Sequence, residues 1–290
     1  MRTELHPTET LSPLPAGAKG RRRTPARGRS WRAAYSVGGE TELSFSSRDV
    51  EEFWSRVASE RYESANRAMG NVHTQRFRIS IPRIALPRGG RLLNLWSRQG
   101  EAVPIIRERY PGIELVNAEI SRVMLRQAGE RFPGEVFVPT DLQQLCFQDA
   151  SFNCVLSLEM LEHSPSPQRI LREIFRVLKP GGRLILTCPG AMSEIHLWFA
   201  DRWLDNHGEG PHRFHSVRRV KRMLREAGFI LDYHRATLFV PAGVHSWAGA
   251  IDGICEKSLQ WFPIRECGLR QLYEARKPGS GSGDMPGRNR

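Results

Sequence analysis

From about Arg91 onward, short and nearly continuous apolar runs alternate with segments of helical periodicity, and this alternation restricts the fold more than any other feature. Leu92-Leu93-Asn94-Leu95 reads as a buried strand, Glu101 to Arg109 as a helix, and Ile113 to Val116 as a second strand followed by a helix through Met124 and Leu125. Glu135 to Val138, Cys154 to Leu158 and Arg183 to Thr187 read as strands three to five. Between the last two lies a helix, Gln168 to Val177, with Ile170, Leu171, Ile174, Phe175 and Leu178 on one stripe. A helix at Val217 to Ala227, a strand at Phe229 to His234, a helix near Trp247 to Trp261 and a strand at Leu269 to Ala275 complete the pattern. Strands and helices of these lengths imply parallel β-α-β units with right-handed crossovers, and strands so apolar need cover on both faces. The expected architecture is α/β, a mostly parallel seven-stranded sheet over residues 91–277 with helices on both faces.

Upstream, Val50, Phe53, Trp54, Val57 and Ala58 recur at helical spacing between Ser47 and Asn66, with Ser47 or Asp49 placed to cap the start. Residues 46–90 are expected to form a helical lid segment. Residues 1–45 read as a disordered basic tail, with Arg21, Arg22, Arg23, Arg27, Arg29 and Arg32 among Pro, Gly and Ser, and 278–290 as a flexible Gly/Ser tail. The first 32 residues carry about half of the net charge of +12. A basic arm of this kind suits either a solvated tail or contact with an anionic polymer such as RNA. The chain has no apolar run of 18 residues and no signal-type start, so no membrane span is expected. Its five cysteines form no C-x-x-C pair, which fits free thiols in a cytoplasmic protein better than a disulfide frame or a zinc site. The oligomeric state is not legible.

In an open parallel sheet, ligands bind beyond the carboxyl ends of the strands, at the point where strand order reverses. The residues that matter therefore follow the strands: Trp96 to Gly100, Asn117 to Glu119, Thr140 to Leu142, and Glu159 to His163. Within this set, the run from Asp141 to Gly190 pairs an Asp with Leu145 and Phe147, then has Phe152-Asn153, Glu162-His163 and Leu178-Lys179-Pro180-Gly181-Gly182 in order. This ordered set resembles the second half of a small-molecule class I S-adenosylmethionine-dependent methyltransferase. The likeness is specific over those fifty or so residues and extends more loosely from Arg91 to Ala275.

The resemblance implies a Rossmann-like methyltransferase fold, S-adenosyl-L-methionine as cofactor, and methyl transfer to an O, N or C atom of a small or lipid-linked acceptor. It implies that Glu119 accepts the ribose hydroxyls and that Asp141 meets the adenine amino group. Ile120 and Leu142 would then sandwich the base, with Glu159 at the end of strand four also lining the site. The loop after strand one departs from the family. Where the family reads Asp-Leu-Gly-Cys-Gly-x-Gly, this chain has Asn94, Trp96 and Arg98 at the acid and the first two glycines, and only Gly100 remains. Glycine matters there because backbone must approach the cofactor with unusual dihedrals; Arg98 instead offers a charge-assisted partner for the cofactor's carboxylate. The substitutions leave open a variant methyltransferase, a non-catalytic scaffold of the same fold, and a polymer methyltransferase using the basic arm. Candidate bases are His163, His207 and His212, and candidate acceptor-side residues are Glu209, Arg213, Tyr62 and His73. His207, Glu209 and His212 could also hold a metal, but loop spacing is poor evidence for one and no metal is expected.

Overall fold

The computed structural model describes residues 45–60, 62–194, 210–239, 246–261 and 264–279. The expected tails fall almost wholly outside this set, as do His207 and Glu209. Three helices precede the sheet where one was expected: α1 (Ser47–Glu60), α2 (Tyr62–Met69) and α3 (Asn71–Ser80). Gly70, at φ 49°, separates the last two. The sheet elements follow as β1 (Arg91–Leu95), α4 (Val103–Arg109), β2 (Glu114–Glu119), α5 (Arg122–Arg131), β3 (Val136–Pro139) and β4 (Phe152–Leu158). Then come α6 (Pro167–Val177), β5 (Leu178–Pro189), α7 (Val217–Glu226), β6 (Ile230–Thr237), α8 (Ser246–Ser258) and β7 (Arg270–Arg276).

The strands form one seven-stranded sheet in the order β3-β2-β1-β4-β5-β7-β6. β1 to β5 run parallel, and β7 inserts antiparallel to both β5 and β6. Period-two alternation sorts the strands' side chains between two cores. Leu93, Leu95, Val155, Leu184 and Leu186 face a cluster with α1, α6 and α7, whereas Leu92, Cys154, Leu156 and Ile185 face one with α3 and α4. The α6 stripe of Ile170, Leu171, Ile174 and Val177 is fully buried, which is why this helix has an amphipathic sequence. Ser121 and Ser216 cap α5 and α7 by accepting from Met124 N and Arg219 N, so each helix begins where the sequence supplies a hydroxyl. Among the described residues no helix is long and apolar enough to cross a membrane.

Candidate active site

Strand order reverses between β1 and β4, so the crevice expected to receive a ligand opens where Trp96–Gly100 and Glu159–His163 leave the sheet. Trp96, Arg98 and Gly100 all take positive φ, at 70°, 54° and 79°. Only these alternate positions do so in the loop, and they are the three that align with glycines in the family pattern. The backbone thus keeps a glycine-loop shape at two positions whose side chains disfavour it, each at a cost of about 1–3 kcal/mol. Hydrogen bonds hold it there: Trp96 N and Ser97 N both donate to Ala118 O, and Gly100 N donates to Ser97 O. At Gly100 even a methyl group would sit 2.9 Å from the Phe132 ring.

Glu119, at the end of β2, is fully buried. Its Oε2 accepts from Arg98 N at 2.7 Å, and its Oε1 accepts from Ile120 N and Ser121 N at 3.0 Å each. Burial pushes its carboxyl above the ordinary range, opposed by the Arg98 cation and these backbone donors. Asn94, in the family's acidic position, instead donates from Nδ2 to Asn117 Oδ1 at 2.9 Å and ties β1 to β2. Ile120 and Leu142 are buried beside this end of the sheet. Asp141 is exposed, and its Oδ1 accepts from Ser47 Oγ of α1 and from Gln143 N.

The Arg98 guanidinium lies between two indoles, its Cζ 3.5 Å from the Trp54 ring centroid and 4.1 Å from that of Trp96. Trp96 in turn stacks on His163, with centroids 5.4 Å apart and planes 16° from parallel, so its ring bridges the ends of β1 and β4. His163 is 1% exposed and donates from Nδ1 to Pro211 O at 3.0 Å. Burial, helped by the nearby Arg98 charge, holds it well below the usual imidazole range, so it stays neutral. It therefore pins the Gly210–Arg213 segment, which Arg213 N secures further by donating to Glu162 O. His212, half-buried, donates from Nδ1 to Gly210 O at 2.8 Å and points Nε2 toward Glu194 Oε1 at 3.5 Å.

Glu159 sits at φ 53° and holds two arginines, Arg76 of α3 at 2.9 Å and Arg270 of β7 at 2.6 Å. Arg270 also donates to Gln75 Oε1, and Gln75 donates to Glu256 of α8. A charged network thus joins the N-terminal helices to β4, β7 and α8, with the Glu159 carboxylate committed to two partners. Tyr62 donates to Glu101 Oε1 at 2.7 Å, and His73 lies 2.9 Å from Arg76 Nη2, so both flank this network. Arg270 and the contact of Trp54 with Arg98 were not singled out from sequence. Its strand, which also carries Gln271, Glu274 and Arg276, gave no signal that set Arg270 apart, and Trp54 read only as one member of a helical stripe. Among the described residues no group of three His, Cys, Asp or Glu could hold a metal.

Residues 97–186 match the family described as a methyltransferase domain. The chain is 27% identical over 218 residues to a ubiquinone/menaquinone biosynthesis C-methyltransferase of Desulfotalea psychrophila, covering 68% of this chain and 88% of that protein. It is 29% identical over 206 residues to a demethylmenaquinone methyltransferase of Thermus thermophilus, covering 63% and 94%. Among solved structures, an S-adenosylmethionine-dependent methyltransferase of Thermotoga maritima shares the fold with a TM-score of 0.59 at 18% identity, covering 78% of this chain and 99% of that one. A methyltransferase crystallised with the Trm112 activator of Haloferax volcanii gives 0.60 at 19%, covering 78% and 97%.

Proposed function

We propose that this chain, a class I S-adenosylmethionine-dependent methyltransferase, moves a methyl group to an O, N or C atom of a small or lipid-linked acceptor in the cytoplasm. The observation that carries the cofactor half of this reading is the loop after β1. It holds a glycine-loop backbone at 96, 98 and 100 and hands Glu119, the carboxylate ending β2, a backbone N–H from Arg98. Two features of the chain fit the cofactor's parts. Glu119 stands where a ribose diol needs an acceptor, and Ile120 and Leu142 give the base apolar walls with Asp141 at their edge. When bound, S-adenosylmethionine supplies a methyl group on a sulfonium, ready for in-line displacement by a correctly placed nucleophile.

The protein's own part is to align and to move a proton. Neutral His163 and the Trp96 ring wall the crevice between β1 and β4 and keep water from it. We assign to His212, oriented by Gly210 O and by Glu194, the removal of a proton from an acceptor hydroxyl or amine. We assign Arg213 and Tyr62 to the acceptor side. A ring-bearing, lipid-linked acceptor is supported by the two relatives whose names specify quinone pathways.

Calorimetric titration with S-adenosylhomocysteine and with 5′-methylthioadenosine tests the cofactor half. Wild-type protein is expected to bind both. Glu119→Gln is expected to weaken both alike, by about 1–3 kcal/mol, because each carries the ribose. Folded wild-type protein that binds neither ligand sinks the reading.

A further inference from the structure

The family's glycine loop offers no side chain at the position of Arg98, so whatever this guanidinium does is particular to this chain. It is 5% exposed, and its Nε and Nη1 find no acceptor among the described residues. The neighbouring Trp96 Nε1 is in the same state. The nearest carboxylates act on it by charge and not by a hydrogen bond: Glu119 accepts three backbone N–H groups and Glu101 accepts the Tyr62 hydroxyl. Buried polar groups in folded proteins are almost always paired, and a buried cation without hydrogen bonds is expensive. Two indoles set nearly at right angles to each other lie within cation–π reach of the guanidinium and reduce that cost, but they accept none of its hydrogens. The unmet groups here are donors only, presented by a planar fork between rigid walls. A side chain kept merely to fill the crevice would not need a charge.

We infer that Trp54, Trp96 and Arg98 form a carboxylate receptor that takes the amino-acid end of the cofactor, replacing the backbone contacts of a glycine loop with a charged side-chain contact. The inference rests on the cofactor reading above and adds to it the residue that recognises one end. Arg98 joins the two ends of the ligand through its own structure: its N–H holds Glu119, the ribose partner, while its side chain reaches toward the β4 end. Trp54 comes from α1, so the N-terminal helix completes the receptor. A carboxylate on the acceptor is the other source of the same chemistry.

The test compares S-adenosylhomocysteine with 5′-methylthioadenosine, which lacks the amino-acid end, on the full chain and on Arg98→Met. Calorimetry is expected to show S-adenosylhomocysteine affinity falling about 10–100-fold while 5′-methylthioadenosine stays within about twofold, the scale of a charged hydrogen-bond partner lost. The ligand-free Tm is expected to hold or rise, because an unmet buried cation has been removed. Arg98→Lys, which keeps the charge without the fork, is expected to restore only part of the loss. Equal losses for both ligands with a lowered Tm would mark Arg98 as structural and overturn the inference; so would no loss for either. Unchanged S-adenosylhomocysteine binding, with added malonate raising the Tm of the wild-type complex but not of the Arg98→Met complex, assigns the guanidinium to an acceptor carboxylate and overturns the cofactor assignment. Wild-type protein that binds neither adenosine ligand overturns the cofactor reading itself, a result distinct from any of these.

Discussion

Acidification from about pH 7.5 to about 5.5 is expected to remove about 4 kcal/mol of stability, and about 8 kcal/mol by about pH 4.5. The loss comes from histidines that the fold holds neutral: His73, His215 and His234, the last lowered to about 4 by burial with the Lys221 charge adding to it, account for these figures, and His163 adds to them. Burial lowers His73 to about 2, with the Arg76 charge adding to the effect, and lowers His215 to about 3, with Arg219 and Arg213 adding to it. His163 is also held well below its ordinary value by burial and by Arg98. Each group binds a proton below about pH 6.5 only once the chain unfolds, so the unfolded state takes up more protons and gains on the native one. The stability is whole above that value and falls with pH until the folded values, near 2 to 4, are reached. Losses of this size compare with the entire stability of an ordinary domain, so cooperative acid unfolding is expected well above the carboxylate range. Urea midpoints measured across this range check it. His215→Leu, which removes a ring whose two nitrogens find no hydrogen-bond partner among the described residues, should flatten the slope by about a quarter. A midpoint that does not move between about pH 7.5 and 5.5 would count against the buried, neutral state of these rings.

Glu159→Ala is expected to cost about 3–5 kcal/mol, because it strands two buried arginines rather than removing a matched pair. Burial alone would raise the Glu159 carboxyl, but the Arg270 and Arg76 guanidinium groups overcome it and hold the group down at about 2. A depressed carboxylate contributes stability that is present above its unfolded value, near 4.5, and is lost as pH falls toward 2. Alanine forfeits that contribution at neutral pH. In a domain of this size the loss corresponds to a fall in Tm of about 10 °C. Arg270→Met should cost less, since Glu159 keeps Arg76. Thermal melts of the two variants settle the order, and a Glu159→Ala loss below about 1 kcal/mol would show that the network adds little.

The strands and most helices could be read directly, because Leu92-Leu93, Val155-Leu156 and the α6 stripe obey period-two and period-3.6 rules that local sequence carries in full. What local sequence cannot carry is pairing between distant segments. Nothing near Arg270 announces that its strand runs antiparallel between β5 and β6, since the period-two pattern of a strand reads alike in either direction. The helix expected from Ser47 to Asn66 ends earlier, and α3 lacks the apolar periodicity that would reveal it; its Gln75 and Arg76 are buried by partners from β4 and β7. The placement of Glu119 and of residues 96, 98 and 100 at the strand ends was legible because the loop register follows from the strand before it. The cage around Arg98 was not, because Trp54 lies more than forty residues upstream and meets it only through the packing of α1.

The insertion of β7 also orders events in time. Chains are made and collapse from the amino end, and β5 can pair with β4 as soon as both exist. Its other edge, carrying Leu184 and Leu186, has to wait for Arg270–Arg276, and among the described residues β6 reaches the sheet only through that same strand. Until then the nascent protein exposes a long strand edge, the kind of surface on which chains recruit one another into aggregates. β7 is therefore a clasp. Its arrival closes the edge, and through Arg270 it also draws in the helices made first.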